Sequence, residues 1–370
     1  MIPYSRQTVN KADIDAVVKV LRSKWLTQGP AIEQFEKAIA KEVGTNFAVA
    51  FSSGTAALHA AYFAGGIGKG DEVIVPALTF AATANAALYL DAVPVFADVD
   101  LIHGIIDIKD VEKKITKKTK AIVPVDYAGH PADLDEFRIL ARKHKLLFIE
   151  DAAHSLGAKY HGKPVGTQAD MTMFSFHPVK SITTGEGGVI VTNNEDFFKK
   201  LLLFRSHGIQ KKKLWHQEMR FLGYNYRITD IQAALGESQL KRLQQFIRKR
   251  RFAAQRYKRL LENIPGIIIP PKEHLSKKAS AWHLYPILLQ RFEDKDKIFN
   301  SLREAGIGVQ VHYPPVYLHP YYRKLGYKKG ICPNAEQFYK SELSIPIFVD
   351  ITEKQQKFVA DTLKNILVSL

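Results

Sequence analysis

FSFHPVKSITTGEGGVIVTN, residues 174–193, decides how the rest of the chain is read. An apolar run, MTMFSF (171–176), stops just before Lys180, and a second, GVIVTN (188–193), follows at once. Between them lies TTGEGG, whose three glycines let the backbone approach another group closely. A lysine held at the end of a buried strand has its ammonium form disfavoured by desolvation, so the free amine becomes a nucleophile. Such an amine can form a Schiff base with a carbonyl. The plainer alternative is a surface lysine in a loop.

Outward from this stretch the pattern repeats. Short apolar runs rich in β-branched or aromatic residues occur at 47–51 (FAVAF), 71–76 (DEVIVP), 94–99 (PVFADV), 121–127 (AIVPVDY) and 146–151 (LLFIED). Helical spacing separates several of them, as in 11–23, 32–44 and 132–145. Gly44 stands where a left-handed C-terminal cap belongs. Strand alternating with helix predicts an α/β fold with a largely parallel sheet and helices on both faces. From about residue 230 the pattern changes. Residues 229–264 read as one long helix, or as two broken near Gly236. A strand at 283–289, a helix at 294–306, a strand at 307–313 and a helix from Glu353 follow. The expectation is a large domain, 1–245, and a smaller C-terminal α+β domain, 246–370. No internal repeat or low-complexity linker interrupts the chain.

Composition sets bounds. Two domains suit 370 residues. Hydrophobic content of 46% and charged content of 24% are ordinary for a globular protein. No apolar run is long enough for a membrane span, and the first residues lack a signal-peptide core. The one cysteine, Cys332, excludes an internal disulfide framework and a multi-cysteine metal site. A cytoplasmic protein without a metal is expected. The formal charge of +16 draws on residues 240–260, which hold nine Lys/Arg and no acid. This run reads as the solvated face of a long helix. A nucleic-acid surface is the rival reading, and with it a non-enzymatic regulator. Neither zinc-finger spacing nor an RNP-like aromatic motif supports the rival. Basic charge also suits an anionic small substrate.

Two further motifs accompany Lys180. In FSSGTAALHAA (51–61) a strand, a Ser-Gly-Thr turn and a helix create an anion site at the helix N-terminus; a simple N-cap by Ser53 or Thr55 would read the same. In FIEDAAHSLGA (148–158), Asp151 ends an apolar strand on the side where open α/β sheets bind ligands. Its carboxylate can hold a cationic ring nitrogen, or cap the next helix. His154 is a ring-contacting candidate or a core histidine. Ser175, five residues before Lys180, offers a hydroxyl to a phosphate. Phosphate turn, strand-end aspartate and lysine, in that order, are what pyridoxal 5′-phosphate (PLP) needs.

With LTQGP (26–30), SSGTAALHAA (52–61), PALTFAATANAAL (76–88), EDAAHSLGA (150–158), FSFHPVKSITTGEGG (174–188), RSHG (205–208), LGYNYRITDIQAALG (222–236) and VQVHYPP (309–315), the whole chain resembles the DegT/DnrJ family of PLP-dependent nucleotide-sugar aminotransferases. The resemblance implies the fold-type-I PLP transferase fold. It implies that Lys180 binds the cofactor aldehyde, Asp151 its pyridine nitrogen, and Gly54, Thr55 and Ser175 its phosphate, with Phe80 and His154 beside the ring. His154 stands where Gln is common in the family. Asn225 would reach the cofactor phosphate of a neighbouring subunit, making a homodimer with shared sites. Family dehydratases carry histidine in place of the lysine, so Lys180 points to transamination. VDYAGHPADLDEF (125–137), FRSHGI (204–209), ALGESQLKRL (234–243) and HLYPILL (283–289) resemble the branch serving pseudaminic acid synthesis. That branch moves an amino group from L-glutamate to C4 of a UDP-linked 4-keto-6-deoxy-N-acetylhexosamine. Tyr4, Trp25, Leu26, Thr27, Gln28, Ser53, His312 and Tyr313 would then line the nucleotide-sugar site. Aminotransferases of the perosamine, bacillosamine and 4-amino-arabinose type share most of these motifs and remain alternatives.

Overall fold

The computed structural model of the chain describes residues 1–271 and 277–370. Two helices open it, α1 (Lys11–Leu21) and α2 (Pro30–Val43). Asn10 and Asp13 form a reciprocal capping box on α1; α2 starts on Pro30 and ends on Gly44 at φ 86°, as a helix stop requires. Next come β1 (Phe47–Phe51), α3 (Gly54–Ala64), β2 (Glu72–Pro76), α4 (Ala82–Leu88), β3 (Val93–Ala97), α5 (Ile108–Lys114), β4 (Thr119–Ile122), α6 (Leu134–His144) and β5 (Leu147–Asp151). Short β6 (Lys159–Tyr160) and β7 (Lys163–Pro164) precede β8 (Met171–Ser175), β9 (Gly188–Thr192) and α7 (Glu195–Phe204). A hairpin of β10 (Ile209–Lys211) and β11 (Gln217–Met219) leads to α8 (Asp230–Leu240) and α9 (Leu243–Leu261). The C-terminal part holds β12 (Ile267–Ile268), β13 (Lys278–Ala279), β14 (Tyr285–Leu289), α10 (Lys295–Glu304), α11 (Pro320–Lys324), α12 (Pro333–Ser341), β15 (Glu342–Ile345) and α13 (Glu353–Val368).

Seven strands form the main sheet in the order β1-β9-β8-β5-β4-β2-β3. All neighbours are parallel except β9, which runs antiparallel to both β1 and β8. Strand residues alternate between two cores. Val49, Val75, Ile149 and Met173 enter one; Ala50, Ile74, Phe148 and Phe174 enter the other. Burial on both faces explains why the strands read as continuous apolar runs. A third core gathers residues from Ala253 onward, with the sheet β12-β14-β15 at its centre. Helix α9 joins two of these cores: Leu243, Phe246 and Ile247 pack into the second, Ala253, Tyr257 and Leu261 into the third.

Three expectations are corrected. The helical stretch after residue 229 breaks at Lys241–Arg242 and not near Gly236. Gly236 lies inside α8, where an added Cβ would sit 2.7 Å from Phe35 and Thr184, so its small size serves close packing. The strand expected over 121–127 ends at Ile122. Pro124 has no N–H to continue the ladder, and the chain turns at Asp126. The strand expected over 307–313 is absent as a regular element. Only isolated pairings occur there, Ile307 with Ile2 and Gln310 with Ser344. Gly308 backs onto the N-terminal segment, its N–H donating to the Ile2 carbonyl at 2.7 Å, and Pro314-Pro315 close the stretch. No described helix is long and apolar enough to cross a membrane.

Candidate active site

The parallel strands end along one edge of the sheet, and a cavity of about 580 Å³ opens there. Asp151 from the end of β5, Ser175 from the end of β8, and Ser53, Gly54 and Thr55 from the β1–α3 turn all line it. Because β9 is antiparallel, the β8–β9 connection returns to the same edge and delivers Lys180 into the cavity. Gly188 makes this possible. An added Cβ there would lie 2.6–2.8 Å from backbone atoms of Ser53 and Gly54.

Asp151 is 3% exposed. One carboxylate oxygen accepts from the Thr83 hydroxyl at 2.7 Å, the other from the Ala153 N–H at 3.2 Å. Burial raises its pKa, opposed by those two bonds and by the Lys180 charge. Desolvation lowers the Lys180 ammonium to about 8; the Asp151 carboxylate opposes that shift and the Arg250 guanidinium adds to it. The amine is therefore far closer to its free-base form at neutral pH than an ordinary lysine.

A wall of neutral polar rings faces these two groups. His154 Nε2 lies 3.3 Å from the Tyr313 hydroxyl, and its ring centre lies 4.3 Å from that of His283. Burial, reinforced by the Lys180 charge, lowers His154 and His283 well below the usual imidazole range, and His312 to about 3. His312 Nδ1 meets the Ser344 hydroxyl at 2.8 Å, and its backbone N–H donates to Glu342 at 2.8 Å. Tyr4 stands beside His312, ring centres 5.8 Å apart. Uncharged imidazoles and phenols that can both donate and accept suit hydroxyl-rich ligands.

The residues fit PLP. The first N–H groups of α3 have no partner within the helix, and Ser53 caps only the Ala56 N–H. At Gly54 an added Cβ would press to 3.4 Å from Ser175, so the glycine leaves room for an anion between turn and strand. Asp151 keeps acceptor capacity for a protonated ring nitrogen. Phe80 is 62% exposed at the lip, with the Tyr313 ring edge-on to it at 6.1 Å between centres. The Nδ1 atoms of His154 and His283 have no hydrogen-bond partner among the described residues.

Of the residues expected from sequence, Tyr4, Ser53, Gly54, Thr55, Phe80, Asp151, His154, Ser175, Lys180, His312 and Tyr313 share this cavity. Trp25, Leu26, Thr27 and Gln28 do not line it. They are exposed, and Thr27 pairs with Thr229 at the start of α8. Asn225 is also exposed and off its own cavity. Thr83 and His283 were not expected. Thr83 lies four residues after Thr79 in TFAAT, and their hydroxyls meet at 2.9 Å; that spacing was the available signal. His283 sits in a stretch read as plain strand, and nothing local marks it.

Comparison with known proteins agrees with this geometry. The chain is 45% identical over 373 residues to the UDP-4-amino-4,6-dideoxy-N-acetyl-beta-L-altrosamine transaminase of Campylobacter jejuni subsp. jejuni, covering 99% of this chain and 98% of the relative. Its structure is similar to that of Helicobacter pylori PseC, an aminotransferase involved in the biosynthesis of pseudoaminic acid. That match has a TM-score of 0.95 and 38% identity and covers 100% of both chains. It is likewise similar to the PLP form of the putative sugar aminotransferase Spr1654 from Streptococcus pneumoniae, with a TM-score of 0.95 and 31% identity, over 100% of this chain and 99% of the other. The sequence profile of the DegT/DnrJ/EryC1/StrS aminotransferase family matches residues 7–364, and the chain belongs to that family.

Proposed function

We propose that this protein transfers an amino group from L-glutamate to C4 of a UDP-linked 4-keto-6-deoxy-N-acetylhexosamine, giving UDP-4-amino-4,6-dideoxy-N-acetyl-L-altrosamine. The observation that carries the reading is the pairing of Lys180 and Asp151 in one cavity, in a chain 45% identical over nearly its full length to a transaminase of that name. The cofactor is PLP, which supplies an aldehyde to accept the amino group and a ring that draws electrons from the reacting carbon.

Lys180 would hold the cofactor aldehyde through Nζ, and its amine would take up and return protons at the carbons that exchange the amino group. Its lowered pKa suits both tasks near neutrality. Asp151 holds the protonated ring nitrogen, and Thr83 orients the carboxylate. Gly54, Thr55 and Ser175 hold the phosphate, Phe80 covers the ring, and His154 borders it. Tyr4, Ser53, His312 and Tyr313 contact the sugar nucleotide. Trp25 to Gln28 and Asn225, exposed and off their own cavity, act across the interface of a homodimer, Asn225 on the partner's phosphate. We take 1–245 and 246–370 as the two domains, a division supported by the change of core along α9. We assign the protein to the cytoplasm, where glutamate and nucleotide-activated sugars are available.

The test is product analysis. Purified protein given the UDP-4-keto sugar and 15N-labelled glutamate should place the label on C4 with the L-altro configuration. Preference for a perosamine, bacillosamine or 4-amino-arabinose precursor would overturn the substrate and keep the reaction. No label transfer to any keto-sugar would overturn the reaction itself.

A further inference from the structure

The basic run of residues 240–260 is not one wet face. Lys241, Arg242, Lys249 and Arg256 pair with Glu237, Asp13, Asp350 and Glu353. Arg250 behaves differently. It is 1% exposed, and its acceptors are backbone carbonyls. Nη1 donates to Trp282 at 3.2 Å, His283 at 3.3 Å and Ile347 at 3.2 Å, and Nη2 to Val179 at 3.4 Å. Its Nε has no hydrogen-bond partner among the described residues. A buried cation matched only by carbonyl dipoles is costly to desolvate, and the hydrogen bonds to those carbonyls offset part of that cost. What the guanidinium provides is a connection. Val179 directly precedes Lys180, whereas Trp282, His283 and Ile347 flank the strands of the C-terminal sheet.

We propose that Arg250 is a positioning residue for Lys180: it fastens the loop that carries the lysine to the C-terminal core and places a like charge behind the amine. The proposal rests on Lys180 being the reagent of the site. Lys180 is faced by Asp151 from β5, by His154, His283 and His312 from the cavity wall, by Arg250 from α9, and by Tyr4, Tyr313 and Glu186 on the cavity lining. Burial lowers the lysine most; with the three imidazoles held neutral, Asp151 and Arg250 are the opposed charges that adjust it further. Burial brings Arg250 down to about 10, which leaves it cationic at neutrality.

The test reads Lys180 in cofactor-free protein, by competitive acetylation at a series of pH values with mass spectrometry of the Lys180 peptide. Arg250→Gln removes the charge and leaves a shorter polar side chain that also gives up most of the carbonyl contacts. Loss of a like charge favours the ammonium form, so the Lys180 midpoint should rise by roughly one unit, with the exposed Lys19 as the internal standard. Arg250→Lys keeps the charge but cannot span four carbonyls. Its midpoint should stay near the native one, while the Val179–Ile182 amides exchange with deuterium roughly tenfold faster or more. An unchanged midpoint in folded Arg250→Gln, or unchanged exchange in Arg250→Lys, overturns the proposal. If Arg250→Gln does not fold, the exchange of Arg250→Lys decides. Borohydride fixation of PLP to Lys180 in the wild-type protein is read separately, so failure of the proposal is distinguishable from failure of the functional reading.

Discussion

In the proposed site Lys180 and Asp151 divide the work by charge. Asp151 needs to be ionised to hold a cationic nitrogen, yet burial raises its pKa, and the Thr83 and Ala153 hydrogen bonds offset part of that. Replacing the carboxylate with a neutral amide should therefore act on turnover. We expect Asp151→Asn to lose roughly 10²-fold or more in kcat, as removal of about 3 kcal/mol of transition-state stabilisation implies; an unchanged kcat would contradict the role. Lys180 also leaves a mark on stability. Its folded pKa of about 8 lies below the ordinary 10.5, so between those values the unfolded chain binds more protons and stability rises with pH. Cofactor-free Lys180→Met should thus be more stable than the wild type below about pH 8, by at most about 3 kcal/mol. The gap should close as pH approaches 10.5. Denaturant midpoints across this range check the sign, and a gap that widens with pH would exclude a buried, depressed lysine.

The element that organises the site is β9, whose reversal inside a parallel sheet brings the Lys180 loop back to the ligand edge. Its first residue, Gly188, pairs with both Phe51 and Ser175 and touches the β1–α3 turn. The atoms crowding an added methyl are backbone and cannot rotate away. Gly188→Ala should destabilise the protein by about 2 kcal/mol or more and weaken PLP binding, because the turn proposed to hold the phosphate must shift. Equilibrium dialysis with the cofactor would detect this. Native affinity in the alanine variant would mean that the turn is not the phosphate site.

Across the whole molecule, Asn225 and residues 25–28 are exposed and do not line the cavity of their own chain, and the proposed homodimer gives them a site to serve. If Asn225 serves the partner's cofactor, Lys180→Ala and Asn225→Ala chains should complement each other after subunit exchange. In a mixed dimer one site keeps Lys180 with the neighbour's Asn225, and the other lacks both. Up to half of the sites in such dimers should recover, provided that Asn225→Ala alone is strongly impaired. Verified heterodimers without recovery would place the contact within one chain.

Much of the site is legible in sequence because strand ends and helix starts are local events. A buried run ending in Asp151, a Ser-Gly-Thr turn after Phe51 and a lysine before GEGG each carry their chemistry in a few consecutive residues, and chain topology brings strand ends together at one edge. What was misread depended on distant partners. Gly236 allows either a continuous helix or a break, but its close approach to Phe35 and Thr184 makes it a packing residue. Residues 307–313 have strand-like composition, yet their backbone groups are met singly by Ile2 and Ser344. Thr83 and His283 acquire their place only when α4 and the stretch before β14 close over the cavity. The basic run shows the division most directly. Its composition fixes nine charges, but only the packing of α9 between two cores decides that Arg250 is buried behind Lys180, because desolvation and hydrogen-bond direction depend on neighbours far away in the chain.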